Sequence, residues 1–86
     1  MEQFLNKLTA FLKSRFPGAE TDMVVTVPDK KVGGYLIWQG FETMEPIDRL
    51  NAVWERVEAE LTPDERRSIS AILTLTPEEA TTAKAG

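Results

Sequence analysis

Neither cysteine nor histidine occurs anywhere in the 86 residues of this chain, and that double absence limits both its fold and its chemistry. A chain of this length hides only about 60–65% of its unfolded surface and holds little stability in reserve. With no disulfide or zinc ion to staple it, one hydrophobic core must hold it together. The same absence removes a thiolate nucleophile, Cys-ligated zinc and iron–sulfur sites, and the usual general base at neutral pH. No metal or cofactor is therefore expected.

Apolar residues make up 42% of the chain and charged residues 28%, a globular composition that fits a single domain over residues 1–86. The net charge of −4 disfavours nucleic acid, whose binding rests on neutralising phosphates. The cations fall in separate groups, Lys7, Lys13 and Arg15, then Lys30-Lys31, then Arg66-Arg67, with acids between them; they read as solvated faces. No stretch approaches the ~20 apolar residues of a membrane span. The opening Met1 to Lys7 lacks the apolar run and cleavage site of a signal peptide. A cytoplasmic location without membrane contact is expected.

Hydrophobic spacing sets the order of elements. Phe4, Leu5, Leu8, Phe11, Leu12 and Phe16 recur at helical intervals, predicting a helix over 2–16 whose stripe packs into the core. Pro17-Gly18 stops it. The β-branched run Met23 to Val27 predicts a strand, Pro28-Asp29-Lys30-Lys31 a turn, and Tyr35 to Gln39 a second strand. Gly33-Gly34 either extends the loop or forms a bulge. Pro46 starts a helix reaching Leu61, with Ile47, Leu50, Val53, Trp54, Val57 and Leu61 on one side and Asp48, Arg49, Glu55, Arg56 and Glu58 mostly on the other. Thr62-Pro63-Asp64-Glu65 carries the chemistry of a capping box and leaves room for about one turn. Ile69 to Leu75 is the third strand. Thr76-Pro77-Glu78-Glu79 repeats the box and opens a short terminal helix with almost no apolar stripe.

A strand–helix–strand crossover is right-handed and returns a parallel strand to the same sheet. The expected fold is α+β, two-layered, with a three-stranded mixed sheet, helices on one face and the order α-β-β-α-α-β-α. Both faces of that sheet carry apolar residues, while the long helices can cover only one. The other face is either a contact surface for a protein partner or a second copy, or is covered by loops or the C-terminal tail.

Phe41 stands after the second strand, Arg49 eight residues on and Val53 twelve on; Glu60-Leu61 and Leu75-Thr76-Pro77 follow. In these spacings and in element order the chain resembles the BolA family, whose fold is akin to a type II KH domain. The resemblance covers about Tyr35 to Glu79 and is divergent. Thr43 replaces the Gly of the family's Phe-x-Gly, Leu50 and Asn51 replace the last two positions of its Arg-His-Arg, and its later His falls near Arg67 or Ser68. Family members use that His when sharing an iron–sulfur cluster with a monothiol glutaredoxin. This chain has no such ligand, so the resemblance implies the fold without the cluster chemistry.

No enzyme is expected. Carboxylate pairs can catalyse acid–base chemistry only when they flank a cleft. The acids here lie at helix starts (Asp64-Glu65, Glu78-Glu79) or along a helix exterior (Glu55, Glu58, Glu60), where capping, the macrodipole and solvation account for them. Neither a Gly-x-x-Gly nucleotide clamp nor a calcium loop is present. The reading is a small non-catalytic binding module acting through protein–protein contacts on the open sheet, with Tyr35 or Trp38, which alternation puts on opposite faces of the second strand, as the candidate aromatic anchor. The alternative is a KH-like nucleic-acid-binding domain using Lys30, Lys31, Arg66 and Arg67.

Overall fold

The computed structural model of the chain describes residues 2–26 and 30–85, with side chains described through Thr82. Its elements are helix α1 (Glu2–Arg15), strands β1 (Glu20–Thr26) and β2 (Lys31–Ile37), a 3-10 turn (Gln39–Thr43), helices α2 (Pro46–Glu60) and α3 (Pro63–Arg67), strand β3 (Ile69–Leu75) and helix α4 (Pro77–Ala85). The α-β-β-α-α-β-α order and the three-stranded mixed sheet are those expected from the sequence. β2 is central, antiparallel to β1 and parallel to β3. Among the described residues no helix is long and apolar enough to cross a membrane.

Pairing along the hairpin differs from the expectation. β1 starts at Glu20, and β2 starts at Lys31, so the glycine pair lies inside the strand. The pair does neither of the two things expected of it: it is paired in unbroken register with Val24 and Met23 of β1, and where the register against β3 shifts, between Val32 and Gly33, the extra residue is Ser70 on β3. Gly34 is required by close approach. At φ +151°, a Cβ there would sit 2.0 Å from the Asp22 carbonyl oxygen on β1. Pro28 and Asp29, read as turn residues, lie outside the described residues.

The core lies on one side of the sheet. Leu8, Leu12 and Phe16 from the α1 end, Val53, Val57 and Leu61 from the α2 end, and Met23, Val32, Leu36 and Ile72 from the strands form one buried cluster. α1 packs against β1 and α2 against β3. Both Thr-Pro boxes form as expected. The Thr62 N–H donates to Glu65 Oε1 at 2.9 Å and the Glu65 N–H to Thr62 Oγ1 at 3.1 Å. Thr76 and Glu79 exchange the same pair at 2.9 and 3.2 Å.

The α2 stripe is rotated from its expected position. Its buried residues are Arg49, Val53 and Val57, a step of four. Ile47 and Leu50 face outward, 61% and 39% exposed. The cause is Arg49, 8% exposed, whose guanidinium takes an inward position because partners await it there. Nε donates to the Met44 carbonyl at 3.1 Å, Nη1 donates to Glu79 Oε1 at 2.6 Å, and the group lies 5.9 Å from the Phe41 ring centre. A buried cation is tolerated only with such partners.

Candidate functional site

Alternation along the strands sends Met23, Leu36 and Ile72 toward the helices and Val24, Tyr35 and Leu73 to the opposite face. Tyr35 pairs in register with Leu73 on β3, and Val24 lies diagonal to it on β1. Val24 is 54% exposed and Leu73 53% exposed, with Tyr35 half-buried between them. These three side chains form a diagonal apolar strip that neither long helix covers, with the exposed Asp22 in register with Tyr35 on β1. Burying a half-exposed aliphatic side chain of this kind contributes about 1 kcal/mol.

The C-terminal helix covers one end of that face. Ile37 shares the face of Tyr35 but is only 5% exposed, and Ala80 of α4 is equally hidden. Both lie outside the main core cluster. They line one small cavity of about 260 Å³ with Glu20, Gln39 and Pro77. Of the two readings of the second face, covered or open, each therefore holds for part of it: α4 shelters the Ile37 end, and the Val24–Tyr35–Leu73 strip stays open.

The two candidate anchors are not brought together. Tyr35 lies on the open face. Trp38 follows the strand and packs toward the helices, its ring 5.1 Å from Phe16 and 5.2 Å from Phe41, both edge-on. The Trp38 indole N–H donates to the Pro17 carbonyl at 2.9 Å. Its ring also lies over Gly40, where a Cβ would come within 2.5 Å of it. Trp38, half-buried with its polar hydrogen satisfied, locks the end of α1 to the 3-10 turn.

The backbone segments that carry the four cations of the alternative reading meet at one end of the sheet. The Val32 N–H donates to the Ser68 carbonyl at 2.8 Å, which brings Lys30-Lys31 and Arg66-Arg67 to the same end of the sheet. Lys30 and Lys31 are exposed. Arg66 Nη1 donates to the Glu58 carbonyl at 3.2 Å, and Arg67 pairs with Asp64. Two of the four are therefore engaged within the protein.

Carboxylates follow the same structural logic. Lys7 above all, then the Thr62 backbone, holds Glu65 below its ordinary pKa. The Thr76 backbone N–H, then Arg49, lowers Glu79. The hydrogen bond from Arg15 lowers Glu60. Each is an ionised partner in a cap or ion pair, the opposite of a carboxyl poised to give up a proton near neutrality. Among the described residues, no group of three or more His, Cys, Asp or Glu is arranged to hold a metal ion.

Arg49 is the residue that sequence reading undervalued. Helical spacing set it with Asp48, Glu55, Arg56 and Glu58 on the outward side of α2, whereas it is buried at 8% exposure. The signal available was its place at four-residue steps with Val53 and Val57, which an apolar-only stripe ignores. A scan against protein-family models, a search of curated proteins and a search of solved structures each return no significant match.

Proposed function

We propose that this domain is a non-catalytic binding module that engages a protein through the open face of its sheet. The observation that carries this reading is the diagonal Val24–Tyr35–Leu73 strip, with two aliphatic side chains more than half exposed. In a chain this short, exposing a valine and a leucine on either side of an aromatic ring is costly unless something covers them. Tyr35 is the aromatic anchor; Trp38 supports the fold behind it. The absence of thiols and imidazoles, together with the engagement of Glu60, Asp64, Glu65 and Glu79 in caps and ion pairs, supports a role without chemistry. The element order is the one that resemblance to BolA proteins implies, so we read the module as BolA-like in build and independent of iron–sulfur clusters. A cytoplasmic site of action fits its composition.

The test is co-purification of the tagged full chain from its native cells, comparing wild type with the double variant Val24→Lys/Leu73→Lys. Both positions are solvent-facing, so the fold is retained and circular dichroism checks it. A specific companion protein present with wild type and with Ile47→Lys, but absent with the double variant, is the expected result. Equal recovery with all three would contradict the reading.

A second reading, a KH-like nucleic-acid-binding domain, is favoured by one observation: the Val32–Ser68 hydrogen bond that joins Lys30, Lys31, Arg66 and Arg67 at one end of the sheet. It requires RNA affinity that falls steeply with salt and is lost in Lys30→Glu/Lys31→Glu. The net charge of −4 and the engaged arginines make it the weaker reading.

A further inference from the structure

We propose that the free edge of β3 takes an extended segment of a basic partner protein as an added strand, with the apolar side chains of that segment lying on the outer flank of α2. This surface is on the helix side of the sheet, separate from the open face.

The edge is unguarded. β3 lies at one margin of the sheet and β1 at the other. β1 carries the exposed acids Glu20 and Asp22, the kind of charge that keeps a margin from pairing with another chain. β3, Ile-Ser-Ala-Ile-Leu-Thr-Leu, has neither charge nor proline. Its bulge at Ser70 disturbs only the start of the strand, and Ala71 to Leu75 run in regular register with β2. The Trp38 N–H donates to the Leu75 carbonyl at 2.9 Å, so Leu75 turns its backbone groups toward β2. Alternation then turns the N–H and C=O of Ile72 and Thr74 outward, spaced for a further strand. α4 does not run along them, since Ala80 and Thr81 lie across the sheet beside Gly18 and Glu20.

An apolar ledge adjoins the edge. Arg56 of α2 stands over the Phe16 ring and Glu60 pairs with Arg15, so that side of the helix faces α1. α1 packs on β1 and α2 on β3, so the side of α2 away from α1 overhangs the β3 edge. Ile47, Leu50 and Trp54 occupy it at steps of three and four. Ile47 is 61% and Leu50 39% exposed, and Trp54 is half-buried. Every second side chain of an added strand would reach this stripe.

Charge selects the occupant. Asp48, Glu55 and Glu58 stand exposed along the same flank, and among the described residues no ion pair engages them. The cations of the neighbouring elements are committed: Arg49 to Glu79, Arg67 to Asp64, and Arg66 to the Glu58 carbonyl. A second copy paired edge to edge would bring two acidic flanks together. A segment with lysine or arginine at its ends meets opposite charge instead.

An NMR titration of the isotope-labelled full chain with the synthetic peptide Lys-Lys-Val-Thr-Val-Thr-Val-Lys-Lys tests this, carried to about 1 mM because so small a surface binds weakly. The expected result is a shift of the Ile72 and Thr74 amides and the Trp54 indole, with exchange at both amides slowed at least about fivefold at saturation. Glutamates in place of the flanking lysines should weaken binding roughly tenfold, and Asp48→Lys/Glu55→Lys should reverse that preference. Leu50→Gln should weaken the lysine peptide roughly three- to tenfold. N-methylation of the peptide at its valines or at its threonines should abolish binding in one case only, because just one set of amides faces β3. No response at Ile72, Thr74 and Trp54, or equal affinity for the two flanks, would overturn the proposal. So would amide protection that rises with protein concentration alone, which would assign the edge to a second copy. Any of these results leaves the open face to be decided separately, by co-purification with the Val24→Lys/Leu73→Lys variant.

Discussion

Arg49 Nη1 donates to Glu79 Oε1 across 2.6 Å and thereby joins α2 to α4. The same carboxylate oxygen accepts the Thr76 N–H, so one atom both caps α4 and receives a buried cation. α4 has few apolar side chains with which to hold itself on the sheet. This polar joint, with Ala80 beneath it, keeps the helix over Ile37 and fixes where the open face begins.

Truncating Arg49 to Ala should cost about 2 kcal/mol, from two charge-assisted hydrogen bonds and the contact with Phe41. That corresponds to a fall in Tm of about 10 °C for a domain of this size. Arg67→Ala, which removes an exposed pair with Asp64, should change stability by under about 0.5 kcal/mol. Thermal and urea unfolding of both variants measures the contrast.

Acid should destabilise the fold through Glu65 and Glu79, whose pKa values are lowered by Lys7 and Thr62 and by Thr76 and Arg49 respectively. A carboxylate held below its ordinary value of about 4.3 stabilises the native state above that pH and loses the contribution as pH falls through the native value. Urea midpoints should therefore drop between about pH 5 and pH 3. The variant Glu65→Gln/Glu79→Gln should be less stable at pH 7 and show a flatter profile across that window.

Gly34→Ala should destabilise by about 3 kcal/mol or more, because the new methyl meets the Asp22 carbonyl and the backbone angle is one that L-residues rarely adopt. The loss should appear in equilibrium unfolding, with an intact far-ultraviolet spectrum at low temperature if the fold survives.

The two aromatics at β2 should separate cleanly. Trp38→Ala removes an indole packed on Phe16 and Phe41 and bonded to Pro17, and should cost about 2–3 kcal/mol. Tyr35→Ala should cost under about 1 kcal/mol yet weaken association. A stability loss for Tyr35 equal to that for Trp38 would assign both to the core.

The element order was legible because each signal was local. Phe4 to Phe16 has helical spacing, the Thr62 and Thr76 boxes carry their own hydrogen-bond partners within three residues, and the β-branched runs mark strands. Register and rotation were not legible. The early start of β2 is fixed not only by the local pairing of Lys31 with Thr26 but by the Val32 N–H bond to the Ser68 carbonyl, a contact no local window contains. Ile47 and Leu50 face water because Arg49 finds Met44, Glu79 and Phe41 inside, a choice made by partners up to thirty residues away. That Tyr35 and Trp38 take opposite faces was legible from strand alternation; that the Trp38 side is the covered one was not, because Phe16, Pro17 and Phe41 converge on it only in three dimensions.

Site-specific photo-cross-linking in native cells tests the open sheet face most directly, with a benzophenone amino acid in place of Leu73, Ile47 or Lys13 in turn. Position 73 should give a discrete adduct, at the mass of two chains or of one chain plus one partner, while Lys13 on the solvent side of α1 gives none. An adduct confined to position 47, or no more product at 73 than at 13, would contradict the assignment of the Val24–Tyr35–Leu73 strip as the binding surface.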